Sequence, residues 1–460
     1  MSVSIVILAA GEGSRMRSSL PKVLHPIGGV PMLRRVIETS QKLEPKQIVV
    51  VCGHQSEQLQ GAMDGVDGLR WVHQDKQLGT AHALSCALPL CDDEDSVLVL
   101  YADVALVSHT TLVTFLNLSS LGLGVLTARV PDPSGLGRIV RSEDHAVQAI
   151  VEHKDASEPV LQINEINSGI MCARASQFKS WIPRIGRNNQ QKEYYLTDVV
   201  ALSVEENTPV VGHCVESFQE VLGVNSLWQL QQQERFFQER QAKQLCDAGV
   251  HVVDAHRFRL EACDFHIEKD VVIEPDVCLK GSVKIASGCR IGQGSILENV
   301  TLGHQVGVEP YSILEGVEVA ANAKIGPFAR LRPGTVLEKH TKVGNFVELK
   351  KTHLGAYSKV SHLSYLGDSH VGERVNIGAG TITCNYDGVN KYQTQIDSGA
   401  FIGANSSLVA PVHIGSQATI GAGSVIAKDA PAKQLTLGRA KQKSIASWVS
   451  PRGEQTTACD

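Results

Sequence analysis

The chain has 460 residues, which is too long for one hydrophobic core and predicts about two or three domains. Its formal net charge of -5 excludes general polyanion binding, so we expect no nucleic acid partner. The 11 cysteines are scattered without a C-x-x-C pair, and no apolar run could span a bilayer. We therefore expect a cytoplasmic protein with reduced thiols, no structural zinc and no membrane contact.

The first half, up to about Asn225, alternates short apolar strands with helical segments. The clearest strands are 3–8, 47–51 and 96–101, and the clearest helices are 32–43 and 80–87. This alternation predicts an α/β domain over 1–226, with a Rossmann-like, mostly parallel sheet covered on both faces.

Segment 227–245 is rich in Gln, Glu and Arg and contains no Gly or Pro. Leu230, Phe237 and Leu245 recur seven and eight residues apart, so they share one face of a helix, and Gly249 is a suitable stop. We predict a linker helix over 227–249. The alternative is a peripheral helix of the first domain, which differs only in where it packs.

From Ile273 onward an aliphatic residue returns every six positions, with a few shorter steps and one interruption between Ile377 and Ile396. Such a period fits neither an amphipathic helix nor a hairpin sheet. It predicts a short strand and a tight corner, repeated so that each aliphatic side chain points into a narrow prism. We therefore predict an all-β domain over 250–460. The pattern resembles the hexapeptide-repeat acyltransferases, and that resemblance implies a left-handed parallel β-helix, an exception to the right-handed crossover rule.

The opening string, residues 8–16, reads Leu-Ala-Ala-Gly-Glu-Gly-Ser-Arg-Met and is followed by Pro21 and Lys22. It is neither a Walker A loop nor a complete dinucleotide fingerprint. Small residues after a strand let backbone N–H groups approach phosphates, and Arg15 and Lys22 can add charge-assisted bonds. Alone, Gly11 and Gly13 could be turn glycines; the whole string resembles the sugar-1-phosphate nucleotidyltransferases.

That resemblance implies a site for UTP and a UDP-sugar, with Arg15 and Lys22 at its catalytic centre. The implied binding residues are Leu8, Ala9, Ala10, Gly11, Lys22, Gln74, Gly79, Thr80, Tyr101, Ala102, Asp103, Gly137, Glu152, Asn167 and Asn225. Asp103 ends a strand, where a carboxylate faces the ligand crevice and suits Mg²⁺, and the resemblance makes Asn225 the second metal ligand. A sugar-1-phosphate is already an anionic nucleophile, so this chemistry needs no general base.

The repeat half carries a second set of strings, at 330–334, 344–351, 361–368, 376–381 and 383–388, followed by Lys391. With the first set, they resemble the bifunctional N-acetylglucosamine-1-phosphate uridyltransferase/glucosamine-1-phosphate acetyltransferase family over nearly the whole chain. Acetyl transfer from acetyl-CoA requires a neutral amine, and histidine is the usual general base. Among 17 histidines, the resemblance selects His362.

The same resemblance implies two further groups of contacts in the second domain. The acceptor sugar phosphate would be held by Arg332, Lys350, Tyr365, Asn376 and Lys391. Acetyl-CoA would be held by Ala379, Asn385, Tyr386, Ala404, Ala422 and Arg439. The rest of the basic tail could meet CoA phosphates or be a solvated tail.

Three positions depart from the family pattern: Ala102 replaces Gly, Ala105 replaces Pro and Ala404 replaces Ser. We expect an altered ligand contact at Ala102. At the acetyl site, we expect backbone N–H groups or Asn385 to stabilise the oxyanion, because Ala404 has no hydroxyl group.

The sequence thus predicts a bifunctional enzyme that acetylates glucosamine-1-phosphate and then forms UDP-N-acetylglucosamine from UTP with Mg²⁺. The resemblance implies a homotrimer built through the β-helix. One alternative is a monofunctional nucleotidyltransferase with a structural or regulatory β-helix. Another is a non-enzymatic hexapeptide scaffold. The filled site positions in both halves argue against these two alternatives.

Overall fold

A computed structural model describes residues 2–11, 13–120 and 122–450, apart from the side chains of Ala262 and Cys263. Glu12 of the opening string and the last ten positions of the predicted second domain lie outside these residues. The chain forms two compact units, Met1–Gln241 and Ala242–Asp460. They divide within helix α8, Leu227–Asp247, so the domain limits at 226 and 250 remain predictions.

Among its described residues, the first unit contains eleven strands, the helices α1 to α7 and the first part of α8. The strands β1 to β11 are Val3–Leu8, Pro26–Ile27, Val30–Pro31, Gln47–Cys52, Leu69–His73, Ser96–Tyr101, Leu123–Arg129, Arg138–Arg141, Val147–Val151, Glu165–Arg174 and Val210–Cys214. The helices are Met32–Gln41, Ser56–Ala62, Thr80–Ala87, His109–Ser119, Glu158–Leu161, Ala175–Trp181 and Val199–Glu205.

The main sheet of this unit has the order β11-β7-β10-β6-β1-β4-β5, with the β8–β9 hairpin beside β10. β5, β4, β1 and β6 are parallel, whereas β10 runs antiparallel between β6 and β7. Ile5 and Ile7 point into one hydrophobic core and Val6 into the other, because both faces are covered. The predicted α/β fold is confirmed.

The second unit is a coil of parallel strands. The strands β12 to β35 are His251–Val252, Arg259–Ile267, Val272–Ile273, Cys278–Ile285, Arg290–Ile291, Ile296–Leu302, Gly307–Val308, Ile313–Val319, Lys324–Ile325, Arg330–Leu331, Thr335–Leu337, Lys342–Asn345, Glu348–Leu354, Lys359–His362, Tyr365–Val371, Asn376–Ile377, Ile382–Cys384, Thr394–Ile396, Phe401–Ile402, Ser407–Val409, Val412–Ile414, Thr419–Ile420, Val425–Ile426 and Leu435–Thr436.

Successive coils stack in register, so equivalent residues form rungs. Leu314 pairs with Leu331, which pairs with Leu349, and all three are fully buried inside the coil. The six-residue period is therefore confirmed as the spacing of inward-facing side chains. The predicted interruption is a short loop closed by an antiparallel bridge between Tyr386 and Lys391.

Among the described residues, no helix is both long and apolar enough to cross a membrane.

Candidate active sites

A cavity of about 290 Å³ opens beside the ends of β1 and β6 in the first unit. Many of the sequence-predicted residues line it: Leu8, Ala9, Ala10, Gly11, Lys22, Gln74, Gly79, Thr80, Tyr101 and Asp103. Parallel strands present their carboxyl ends at one edge of a sheet, which is why these separate motifs meet there.

The cavity also contains residues that the sequence did not assign to the site: Val23, Gln77, Ala83 and Glu193. Gln77 lies two residues before the predicted Gly79, and its amide donates to the Ala10 carbonyl at 2.5 Å. Glu193 carries no motif. Its neighbour Tyr194 brings the loop to the cavity, because its N–H donates to Leu78 O at 2.8 Å and its carbonyl accepts from Ala81 N at 3.0 Å.

The two predicted metal ligands both contact Lys22, a residue of the cavity lining. The Lys22 ammonium donates to the Asp103 carboxylate and, at 3.2 Å, to Asn225 Oδ1. Val224 N–H donates to the Asp103 carbonyl at 3.1 Å, which ties the Asn225 segment to the end of β6. The Asp103 and Asn225 oxygens that surround the Lys22 ammonium are ligands of the kind that Mg²⁺ prefers. The other ligands of such an ion would come from phosphate and water.

Within the described part of the chain, no group of three or more His, Cys, Asp or Glu side chains could hold a metal ion. A metal at Asp103 and Asn225 would therefore depend on substrate oxygens for most of its coordination. This is the usual arrangement for Mg²⁺ in phosphoryl and nucleotidyl transfer.

Gly137, Glu152 and Asn167 form a second group in the first unit. Asn167 N–H donates to the Gly137 carbonyl at 2.9 Å, and a β-carbon on Gly137 would lie 3.3 Å from both Glu152 carboxylate oxygens. Burial, and then the nearby Asp155 charge, raise the pKa of Glu152. The raised pKa shows that the carboxyl is partly desolvated, and hydrogen-bond donors such as ligand hydroxyl groups would stabilise it.

Tyr101 connects this group with the cavity. Its ring packs so closely on Gly169 that a β-carbon there would lie 2.7 Å from Cε2. Burial raises the pKa of the Tyr101 phenol, with smaller contributions from the Glu152 and Asp103 charges, and its hydroxyl is hydrogen bonded to Thr80. The phenol therefore stays neutral and available as a hydrogen-bond partner.

Arg15 and Ala102, like Asn225 and the group of Gly137, Glu152 and Asn167, are not among the residues that line the cavity. Arg15 is exposed on the turn Ser14–Met16. Ala102 is fully buried in the core, and its N–H donates to Leu8 O at 3.1 Å. The methyl group that replaces the family glycine packs in this core, and the predicted ligand contact at Ala102 stays a prediction.

In the second unit, three predicted acceptor residues form a cationic group. The Lys350 side chain contacts Lys391, and the charges of Lys391 and Arg332 lower the pKa of Lys350. Arg332 is partly balanced by Glu348, at 3.0 Å from Nη1 to Oε1. The excess positive charge would be relieved by a bound phosphate dianion.

His362 lies at the end of its strand and is exposed. Its Nδ1 is 2.8 Å from Oδ1 of Asn345, which pairs with it on the preceding coil. An amide oxygen only accepts, so Nδ1 carries the proton and Nε2 keeps a free lone pair. Asn345 belongs to the 344–351 string, but the sequence did not assign it to the site. It contacts His362 only because the two residues are paired in the register of neighbouring coils.

Tyr365 and Asn385 meet over Gly367. A β-carbon on Gly367 would lie 2.3 Å from the Tyr365 hydroxyl and 2.8 Å from Asn385 Nδ2. Asn385 Nδ2 donates to Asp368 at 2.6 Å. Tyr386, the next residue, forms the bridge with Lys391, so the interrupting loop joins these contacts to the cationic group.

The three predicted alanines form a column along one corner of the coil. Asn405 N donates to Ala379 O at 2.7 Å, Gly423 N to Ala404 O at 2.8 Å, and Arg439 Nη1 to Ala422 O at 2.9 Å. The column begins next to His362, whose carbonyl accepts from Gly380 N at 3.3 Å.

Asn376, which was predicted to bind the acceptor sugar phosphate, does not lie beside the cationic group in the described chain. It lies on another face of the coil, paired with Lys359 on one side and Phe401 on the other.

Comparisons with known proteins agree with both halves. Residues 5–160 match the MobA-like NTP transferase domain, and residues 393–428 match the bacterial transferase hexapeptide (six repeats). A solved UDP-glucose pyrophosphorylase complexed with UDP-glucose covers 52% of this chain with a TM-score of 0.43 and 16% identity, a likeness too low to carry an argument.

Relatives named bifunctional protein GlmU match the chain from end to end. The one from Coxiella burnetii is 50% identical over 452 residues, covering 98% of this chain and 99% of the relative. The one from Alkalilimnicola ehrlichii is 47% identical over 462 residues, covering 99% of each. With two catalytic halves matched along its whole length, the chain belongs to the GlmU family of bifunctional enzymes, which combine uridyltransferase and acetyltransferase activities in the synthesis of UDP-N-acetylglucosamine.

Proposed function

We propose that the two activities of the family reside at the two sites described above. The first unit transfers a uridyl group from UTP to N-acetylglucosamine-1-phosphate and releases pyrophosphate. The second transfers acetyl from acetyl-CoA to glucosamine-1-phosphate. The observation that carries the proposal is that Asp103 and Asn225, far apart in sequence, both hydrogen bond to Lys22 in the lining of the first cavity.

At the first site the residues position the two substrates and neutralise the charge of their phosphates. Bound Mg²⁺, held by Asp103 and Asn225, would neutralise phosphate charge. Lys22 is then free to donate to phosphate oxygens. We assign nucleobase recognition to Gln74 and the 79–80 segment. We assign the sugar to Gly137, Glu152 and Asn167, beside Tyr101.

At the second site His362 Nε2 takes the proton of the attacking amine, because Asn345 holds the other ring nitrogen. Lys350, Lys391 and Arg332 bind the sugar phosphate. Acetyl-CoA lies along the alanine column, with Arg439 at its far end, so that its thioester reaches the region of His362. Backbone N–H groups or Asn385 then stabilise the oxyanion, since Ala404 has no hydroxyl.

We also propose a cytoplasmic homotrimer assembled through the β-helix, acting on small molecules without a nucleic acid or membrane partner. An exposed aromatic column supports assembly: Tyr311, Phe328 and Phe346 are stacked with ring centroids 5.5 and 5.3 Å apart. Their exposure, 50, 47 and 56%, leaves an apolar strip that a second copy would cover. A fully active monomer in light scattering would contradict the trimer.

One experiment separates the two activities. Purified protein is mixed with glucosamine-1-phosphate, acetyl-CoA, UTP and Mg²⁺, and free thiol and pyrophosphate are followed independently. We expect thiol first and pyrophosphate after it. A monofunctional nucleotidyltransferase would release pyrophosphate from supplied N-acetylglucosamine-1-phosphate but no thiol.

A further inference from the structure

Three lysines stack on one face of the β-helix. Lys324, Lys342 and Lys359 are paired in register on three successive coils, and all three side chains are exposed. Neighbouring strands lie about 4.8 Å apart, so three like charges repeat at nearly that spacing. Like charges directly opposite each other destabilise a sheet, so this ladder has a cost in the isolated unit.

We call the three residues Lys324, Lys342 and Lys359 the lysine ladder. No carboxylate of the described residues lies within salt-bridge distance of the three ammonium groups. The strands of the ladder and their flanking corners, 320–330, 339–347 and 355–364, contain no Asp or Glu. This face therefore carries a local positive charge, although the chain as a whole has a net charge of -5.

The ladder adjoins the acetyl-transfer site. Lys342 and Lys359 begin the strands that end in Asn345 and His362. Three residues of strand span about 10 Å, which is close to one Debye length at physiological ionic strength. The field of the ladder therefore reaches the approach to His362.

We propose that the lysine ladder is an electrostatic guide for acetyl-CoA. The inference rests on the proposed acetyltransferase function. Acetyl-CoA carries three phosphate groups and is the most highly charged substrate of this site, so it is attracted most strongly. The ladder acts on the approaching donor and not on its bound pose, which the alanine column and Arg439 define. The amine acceptor already has the separate cationic group of Arg332, Lys350 and Lys391.

The test compares two pairs of charge removals. Lys324→Gln/Lys342→Gln shortens the ladder and leaves Lys359 in place. Lys269→Gln/Lys284→Gln removes the same charge from exposed lysines elsewhere in the same unit. For the ladder variant we expect kcat/KM for acetyl-CoA to fall roughly twofold to fivefold at low salt, with kcat unchanged, and to converge with wild type near 0.5 M salt. The control pair should follow wild type throughout.

An uncharged donor, S-acetylpantetheine, gives the discriminating arm. With it the ladder variant and wild type should have equal kcat/KM at every salt concentration. Unchanged salt dependence with acetyl-CoA, or an equal loss with both donors, would overturn the guide. Dissociation of the ladder variant in light scattering would instead make the ladder an interface between copies. If the wild-type protein transfers no acetyl group, the proposed function itself is refuted. If the wild type is active and the ladder variant has the same kcat/KM for acetyl-CoA at every salt concentration, only the role of the ladder as an electrostatic guide is refuted.

Discussion

At the scale of single residues, the proposed general base His362 depends on a neighbouring side chain for the orientation of its ring. The chain has 17 histidines, and the ring of this one is oriented by a hydrogen bond of 2.8 Å to Asn345. That bond decides which nitrogen keeps a free lone pair. The assignment can therefore be tested at the histidine and at the residue that positions it.

We predict that His362→Ala slows acetyl transfer by roughly 10²–10⁴, the usual effect of removing a general base. The loss should shrink as pH rises, because more of the amine is then neutral without help. Uridyl transfer from supplied N-acetylglucosamine-1-phosphate should be unchanged. The measurement is the acetyl-transfer rate against pH; near wild-type acetylation by an intact assembly at neutral pH would exclude His362 as the base.

We predict that Asn345→Ala lowers kcat for acetyl transfer about tenfold, because one hydrogen bond of about 1.4 kcal/mol orients the ring. KM for acetyl-CoA should stay the same. Asn345→Asp keeps an acceptor at that position and should restore much of the rate. If Asn345 only supported the coil, both variants would lower Tm alike and the aspartate would give no rescue of kcat.

We predict that Asp103→Ala abolishes UDP-N-acetylglucosamine formation and spares acetylation, because it removes one of the two proposed metal ligands. Pyrophosphate and thiol release, measured in parallel with and without Mg²⁺, provide the check. Full uridyl transfer by this variant in the presence of a chelator would refute the metal assignment.

At the scale of elements, the loop before α3 depends on a glycine. Gly79 has φ +121°, and a β-carbon on it would lie 2.5 Å from the Tyr194 carbonyl. The same Tyr194 backbone fixes Leu78 and Ala81, so the loop has no room to shift without moving the cavity wall.

We predict that Gly79→Ala reduces kcat/KM of uridyl transfer roughly tenfold or more, because displacing a positioning loop by about 1 Å can cost that much. Acetyl transfer should be unaffected. Gly61→Ala is the matched control, since a β-carbon at Gly61, within α2, meets nothing within 4 Å. Equal activities of the two variants would show that the loop tolerates the methyl group.

At the scale of the whole molecule, α8 is the element shared by the two compact units. Its first part completes the core of the first: Phe237 is 6% exposed, lies 4.1 Å from the Arg35 guanidinium and packs on Gly28. Glu234 accepts from Gly28 N at 2.6 Å. The second part contributes Ala242 and Leu245 to the core of the other unit.

We predict that a fragment ending at Gln241 is soluble and retains uridyl transfer, while making no N-acetyl product. A fragment ending at Asn225 lacks Phe237 and should be less stable by about 3 kcal/mol or more, the usual cost of losing a buried aromatic side chain. Urea unfolding of both fragments measures the difference. Equal stabilities would mean that α8 adds nothing to the first unit.

The sequence by itself determined what local patterns encode. The six-residue period fixed the coil, because each inward aliphatic residue repeats with every strand, and Leu314, Leu331 and Leu349 are buried as that period requires. The opening string and the strand ending at Asp103 indicated where the cavity of the first unit lies, because contiguous motifs carry their own geometry. Both catalytic halves could be predicted in this way.

Only the tertiary structure decided which distant side chains meet. Lys22 reaches Asp103 and Asn225 across 81 and 203 positions, and Glu193 enters the cavity with no motif of its own. It also turned the Ala102 methyl group into the core. Asn345 beside His362 and the three lysines of the ladder come from the register of stacked coils. The physical reason is common to all: these contacts depend on how strands align across the fold, and sequence spacing alone does not specify that alignment.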